Sequence, residues 1–386
     1  MSDAVALAVE VAVACRERAE AHDRDASFPV EDLEDLRACG LLGLMVPQSL
    51  GGMGAGFATY AEVARELGRG SGATALLFNM HSSITGALAS TPEDLARSLG
   101  APDSFFVARD DVLARAARGA CFFVAMSERG AGSRFTQMKT TYEREGDGWR
   151  IRGSKTFCSG AGHAEAYLVV ARSADGQHIS QFLVPAGDGL RVEQTWDPMG
   201  MRATASNDLH LDVLVPFDAL LGGVEGLAPL LAQVMPQWLV ASYAAVYVGV
   251  ARAAVDEAAL QLVARGLGDL PAVRGRLGRA DAAVEAAWLV TAEAARLVDL
   301  APGEPETNRW VYRAKLLAGD TAAQVAGSVL EACGTSATRR GNPLERIYRD
   351  ARCGALHPAT SDVCADWLGA AALGVDPDAA AAVARW

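Results

Sequence analysis

The chain has 386 residues, of which 51% are hydrophobic, and a net charge of -12. That much apolar side chain fills a core and excludes disorder as the governing state, while the acidic balance excludes a nucleic-acid-binding surface. The length suits one large unit or two to three subdomains.

Met1-Ser2-Asp3-Ala4 opens directly into an Ala/Val-rich helical pattern, with no basic segment followed by an apolar run, so no leader is expected. The apolar stretch from Trp238 to Val250 contains Ser242, Tyr243 and Tyr247 and is too short for a membrane span. The seven cysteines, at 15, 39, 121, 158, 333, 353 and 364, are odd in number and form no C-x-x-C. They read as reduced thiols, mostly small core residues, in a cytoplasmic protein.

Residues 1–118 read as helices. Glu31 to Leu42 carries apolar residues at helical spacing, with Gly40 as a C-cap, and helical patterning returns from Phe57 to Leu67 after the Gly51-Gly52-Met53-Gly54 turn. Residues 119–225 read as β. Phe122 to Met126, Ala166 to Val170 and Gln181 to Pro185 are strand-like, and Glu145-Gly146-Asp147-Gly148-Trp149 is a hairpin turn. Short strands with Gly/Asp turns predict a small barrel or sandwich. Residues 226–386 return to helix, in long Ala-rich runs from Leu231 to Leu267, Leu277 to Ala301 and Thr307 to Ala332, closed by a segment from Ser361. The fold class is α+β: an N-terminal helical domain, a central β domain and a C-terminal four-helix bundle. No G-x-G-x-x-G follows a strand, so a Rossmann site is not supported.

Six stretches carry candidate chemistry. Ala125-Met126-Ser127-Glu128-Arg129-Gly130-Ala131-Gly132-Ser133 is a strand end and a glycine turn whose backbone N–H groups suit carbonyl or phosphate oxygens. In Lys155-Thr156-Phe157-Cys158-Ser159-Gly160 an aromatic and a hydroxyl stand two residues apart, on one face of a regular strand, which suits a planar ring with a polar edge. In Trp196 to Ser206, Arg202 suits a carbonyl or phosphate oxygen. Ala332 to Thr338 is a small-residue turn after a helix, and Asn342 to Arg352 and His357-Pro358-Ala359-Thr360-Ser361-Asp362 close the set. No spacing of histidines and cysteines suggests a metal site.

Together these stretches, with Gly43-Leu44-Met45-Val46-Pro47, resemble the acyl-CoA dehydrogenase superfamily over nearly the whole chain. The resemblance implies bound FAD, with FMN or a reduced flavin used as co-substrate as the lesser alternatives. It places Met126, Ser127, Gly132 and Ser133 in the flavin and pyrophosphate loop, Phe157 against the flavin and Ser159 at its N5 edge. It puts Gly334 and Thr335 on a neighbouring subunit's FAD, Thr360 and Asp362 at the adenosine part, and Arg202 and Tyr243 at the substrate. It implies a homodimer or homotetramer.

The chain departs from the pattern in five places. Arg129 and Arg134 replace the usual proline and aspartate. Gly266 to Val273 lacks the loop that clamps FAD across the dimer. Pro358 stands where most members have the glutamate that removes the α-proton of an acyl thioester, and Leu239 occupies the alternative glutamate position. A general base contributes roughly 10²–10⁴ in rate, so plain desaturation is disfavoured. A related branch, flavin-dependent monooxygenases of the dibenzothiophene-desulfurising and nitrososynthase type, shares the fold and lacks that glutamate. Asn79-Met80-His81, Gly334-Thr335-Ser336-Ala337 and His357 are similar to that branch, whereas Thr360-Ser361-Asp362 and Gly200-Met201-Arg202 are closer to the dehydrogenases. Neutral histidine donors beside the flavin suit oxygen chemistry, so His357, His81 and Ser159 are the catalytic candidates. Three functions stay open. The first is oxygenation of a small acyl or aromatic thioester or related metabolite. The second is dehydrogenation of an acyl-CoA or carrier-bound acyl group with another base. The third is a flavin-binding subunit that supports a catalytic partner. A flavin reductase or an electron-transfer protein is the expected partner.

Overall fold

The computed structural model describes residues 2–379. Helices come first: α1 (Asp3–Asp25), α2 (Val30–Ala38), α3 (Phe57–Gly70), α4 (Gly72–Ala89), α5 (Glu93–Ser98) and α6 (Asp103–Ala117). Ser2 and Ser71 cap α1 and α4, each accepting the backbone N–H three residues on. α4 is buried on nearly every side, so it forms a central post, and its polar residues Asn79, His81, Ser83 and Thr85 must find partners inside.

The strands are β1 (Phe122–Ala125), β2 (Thr141–Glu145), β3 (Gly148–Cys158), β4 (Ala166–Ser173), β5 (Ile179–Pro185), β6 (Leu190–Glu193) and β7 (Asn207–Pro216). They form one curled sheet in the order β1-β4-β2-β3-β7-β6, with β5 on the other edge of β4. The expected hairpin is present: Glu145 pairs with Gly148, and Gly146 turns the chain at φ 58°. Tyr142, Trp149 and Phe182 pack edge-on or tilted in the sheet's interior.

The C-terminal helices are α7 (Ala228–Val234), α8 (Ala241–Ala264), α9 (Pro271–Leu300), α10 (Pro305–Cys333), α11 (Pro343–Arg352) and α12 (Ser361–Ala372). The single helix expected from Leu231 to Leu267 is two: Pro236, which has no N–H to give, sets a 3-10 turn over Pro236–Trp238 between α7 and α8. Prolines also begin α9, α10 and α11 at the first-turn position, which moves the start of α9 ahead of Leu277. The span Pro236–Ala264 is long and apolar enough to cross a membrane, yet 83% of its apolar window is buried inside the protein, as a core helix is.

An ion pair and a carboxylate–backbone hydrogen bond lock the β6–β7 connection to the helices. Arg349 of α11 binds Asp23 of α1 through Nη1 (2.9 Å) and Nη2 (2.5 Å), and donates to the carbonyl of Met199 (2.8 Å). Asp350 accepts the backbone N–H of Met201 at 2.6 Å. Gly200 is required there, because a Cβ would stand 2.3 Å from the Arg349 carbonyl oxygen.

Candidate active site

The site is built where β1 and β3 end side by side. The N–H of Thr156 donates to the carbonyl of Ser127 at 2.8 Å, which sets Ser127 beside Phe157. Beneath them Lys155, fully buried, donates to Glu128 at 2.7 Å and to the carbonyl of Met126 at 3.2 Å. The Glu128 carboxylate also accepts the N–H groups of Lys139 (2.6 Å) and Thr140 (3.0 Å). Burial opposes ionisation of Glu128, but Lys155 and these N–H groups outweigh it and hold the carboxyl below its ordinary range. The pair thereby pins the Glu128–Ser133 turn.

Two expectations change at this platform. The N–H of Gly132 is spent inside the turn, donating to the carbonyl of Glu128 at 2.8 Å, so its contribution is open space: an added Cβ would meet nothing within 4 Å. Phe157 and Ser159 do not share a face. A bulge between Lys155 and Cys158 puts Phe157 at φ 56° and breaks the alternation. Phe157 is 65% exposed, edge-on to Trp196 at 6.0 Å, while Ser159 is buried. The Ser159 hydroxyl joins a short chain, 2.9 Å to Ser206 Oγ and then 2.7 Å to Thr204 Oγ1, which donates to the carbonyl of Met201.

His357 lies on the loop between α11 and α12. Its Nδ1 is 3.1 Å from the Tyr247 hydroxyl, and its ring packs against Tyr243 at 5.1 Å and Tyr247 at 5.6 Å. Among the described residues Nε2 has no protein partner. Burial, reinforced by the nearby Lys315 charge, pushes the imidazole down to about 3, so it is neutral through the working pH range. Lys315, itself buried, donates to the carbonyls of Gly354 (2.9 Å) and His357 (3.2 Å) and so holds this loop from below. Tyr243 directs its hydroxyl at Met80 Sδ, 3.9 Å away.

His81 is not beside this cluster. Its Nε2 donates to the Leu42 carbonyl at 2.7 Å and its Nδ1 accepts the Phe122 N–H at 3.2 Å. Both nitrogens are consumed by backbone, and burial lowers the group to about 4. It ties α4 to β1 and is a structural residue, which corrects its place among the catalytic candidates. Arg202 is likewise engaged, through Nε with the Asp23 carbonyl (2.8 Å) and through Nη1 with Asp197 and the Pro198 carbonyl (both 3.0 Å). It lines a charged cavity of about 590 Å³ with Asp23, Arg346 and Asp350, to which neither Phe157 nor the Glu128–Ser133 turn contributes, and the substrate expectation for it is corrected accordingly. Thr360 caps α12 by accepting the Val363 N–H, and Asp362 stands exposed in that helix's first turn.

Gly334 and Thr335 lie at the far end of α8, where Arg265 donates to the Cys333 carbonyl. From Tyr247 to Arg265 the helix spans about 27 Å at roughly 1.5 Å per residue, so Gly334 and His357 of one chain do not meet in one site.

A second cavity, of 730 Å³, opens between the sheet, α4, α7 and the Pro236–Trp238 turn. Met126 and Val124 of the flavin strand form one wall, Ser83 and Gly86 another, and Gln237 and Trp238 a third. Sequence reasoning passed over Gln237 and Trp238 because neither is a base. It also passed over Lys315, whose signal is a lone cation among the apolar positions of α10.

The residues fit a flavin. Phe157 stands exposed on the bulge beside Ser127, and the glycines of the Glu128–Ser133 turn leave open space next to it, which suits a planar ring; Ser159 lies buried on the other side of the bulge. Comparison with known proteins agrees. The chain matches the acyl-CoA dehydrogenase N-terminal domain over residues 4–95, the middle domain over 123–214 and the C-terminal domain over 241–362. It is 31% identical to the acyl-CoA dehydrogenase-family protein YdbM of Bacillus subtilis, over 91% of each chain. It is 29% identical to the mitochondrial short-chain specific acyl-CoA dehydrogenase of Bos taurus, over 88% of this chain and 82% of that one. Among solved structures, TdsC of Paenibacillus sp. A11-2, in complex with FMN and indole, superposes with a TM-score of 0.83 at 25% identity, covering 96% of this chain and 97% of that one. The nitrososynthase of Micromonospora carbonacea var. africana also gives 0.83 at 25% identity, over 97% and 98%. The chain belongs to the acyl-CoA dehydrogenase family, and is a flavin-dependent oxidoreductase on that family's fold.

Proposed function

We propose that the protein is an oxygenating member of this family, acting on a small acyl or aromatic substrate. One observation carries the reading: Pro358 occupies the position before Ala359-Thr360, and the neighbouring His357 is surrounded by Tyr243, Tyr247 and Lys315, with no carboxylate among its contacts in the described residues. Bound flavin supplies two-electron chemistry and the activation of oxygen. The chain's own part is to hold the ring and to place neutral side chains beside it. The Lys155–Glu128 pair fixes the Glu128–Ser133 turn, Phe157 offers an apolar face, and Ser159 offers a hydroxyl oriented by Ser206. His357, neutral and with Nε2 unpaired, offers a donor or acceptor that carries no charge. Gly334 and Thr335 join such a site when a second copy supplies them, which fits a homodimer or a larger even assembly.

The dehydrogenase reading is favoured by a different observation, the identity to the short-chain acyl-CoA dehydrogenase of Bos taurus. One experiment separates the readings. The purified protein is mixed with butyryl-CoA without oxygen, and separately supplied with reduced flavin, a small aromatic substrate and ¹⁸O₂. Oxygenation predicts label in the product and no anaerobic bleaching. Bleaching by the thioester without label overturns it in favour of dehydrogenation. A protein that copurifies with a partner and does neither is the supporting subunit.

A further inference from the structure

We infer that the 730 Å³ cavity beside Met126 takes an uncharged, ring-shaped molecule with a polar edge, and that the Gln237 side-chain amide reads that edge. This deepens the oxygenase reading and rests on it only in taking the cavity's occupant to be the substrate.

The lining decides the class. Apolar side chains dominate it, Met45, Phe57, Leu231 and Trp238 among them, and among the described residues no lysine, arginine or histidine faces it. Among the described residues the one charged lining residue is Asp299, and its carboxylate is already spent on the backbone N–H groups of Phe57 (2.6 Å) and Ala58 (2.9 Å). The cavity therefore offers nothing to a phosphate or a free carboxylate, and burying either ion there unpaired is prohibitive. A coenzyme A thioester could place only its uncharged acyl part here, with its phosphates outside the cavity.

Polar recognition is present but neutral. Gln237 is 1% exposed, and neither end of its amide has a partner among the described residues; Oε1 is fully buried without one. The indole Nε1 of Trp238, the next residue, is likewise buried without an acceptor. Buried polar groups are nearly always paired, so an unpartnered amide on a cavity wall points to a ligand that completes it. An amide donates and accepts, so it answers a ring N–H or O–H as well as a ring carbonyl. Trp238 is wedged over Gly86, where an added Cβ would stand 2.2 Å from its Cη2. The wall is therefore rigid, and the adjacent Gln237 is held with it.

The test uses the flavin-loaded protein, with indole, naphthalene and butyryl-CoA as probes, titrated by calorimetry. The wild type is expected to bind indole more tightly than butyryl-CoA. Gln237→Leu removes the amide at similar volume. It should weaken indole about tenfold, as loss of one buried hydrogen bond does, and change naphthalene less than about twofold. Its melting temperature should hold or rise, because an unsatisfied group has gone. Equal losses for the two rings, no binding of either, or butyryl-CoA as the tightest probe would each overturn the inference. Gln237-dependent indole binding without ¹⁸O incorporation leaves this site standing and removes the oxygenase reading; tight butyryl-CoA binding with anaerobic bleaching removes both.

Discussion

Replacing Lys155 by methionine should damage the Glu128–Ser133 turn more than any other single change on the sheet. Lys155 is fully buried and Glu128 is 5% exposed, so water cannot replace the lost cation. Removing one partner of a buried pair costs about 3–5 kcal/mol. Glu128 keeps the N–H groups of Lys139 and Thr140, so the lower end, about 3 kcal/mol, is expected. Against a total of about 5–15 kcal/mol, that is a large share. Urea denaturation measures it, and visible absorbance after gel filtration reports how much flavin is retained. The double variant Lys155→Met with Glu128→Gln should recover part of the loss, because the stranded charge has gone. A loss below about 1 kcal/mol with full flavin retention, or a double variant no better than the single one, would refute the idea that this pair builds the turn.

Acid should destabilise the protein through His81. Its folded pKa of about 4 lies below the unfolded value near 6.5, so its contribution is complete above pH 6.5 and is lost as the pH falls through 4. At roughly 1.4 kcal/mol per pKa unit the whole is about 3 kcal/mol, and His81→Gln should flatten that part of the pH–stability curve. Tyr247→Phe leaves His357 Nδ1 unpartnered; about 1 kcal/mol of stability and much of the turnover should go with it, measured by denaturation and by steady-state rate. Gly86→Ala drives a methyl into Trp238 and, at 2.8 Å, Met45 Sδ, which should cost about 1–3 kcal/mol and lower ring binding in the 730 Å³ cavity. His357→Ala should cut turnover strongly while circular dichroism stays unchanged.

The order of helices, strands and helices was legible because periodicity changes sharply near the start of β1 and again after β7. Ser127, Phe157 and Ser159 are candidates because their motifs sit at fixed separations along the chain; the structure sets Ser127 beside Phe157 and buries Ser159 apart from it. What failed was whatever depends on neighbours distant in sequence. His81 reads as a reactive donor until Leu42 and Phe122 take both its nitrogens. Arg202 reads as a ligand's partner until the Asp23 carbonyl claims it. The bulge at Phe157 defeats strand alternation, which assumes an unbroken register. Gln237 carries no charge and belongs to no periodic pattern, so only an unmet hydrogen bond beside a cavity reveals it.

The bonds from Met201 to Asp350, and from Arg349 to both Met199 and Asp23, tie the first helix, the sheet and the last helices into one knot. Pieces of this chain cut at the helix–strand borders should therefore not fold by themselves, however neatly the three regions separate in sequence. Calorimetry of the intact protein should show one cooperative transition, not three, and a fragment ending after β7 should expose the faces of α3 and α4 that α8 normally covers.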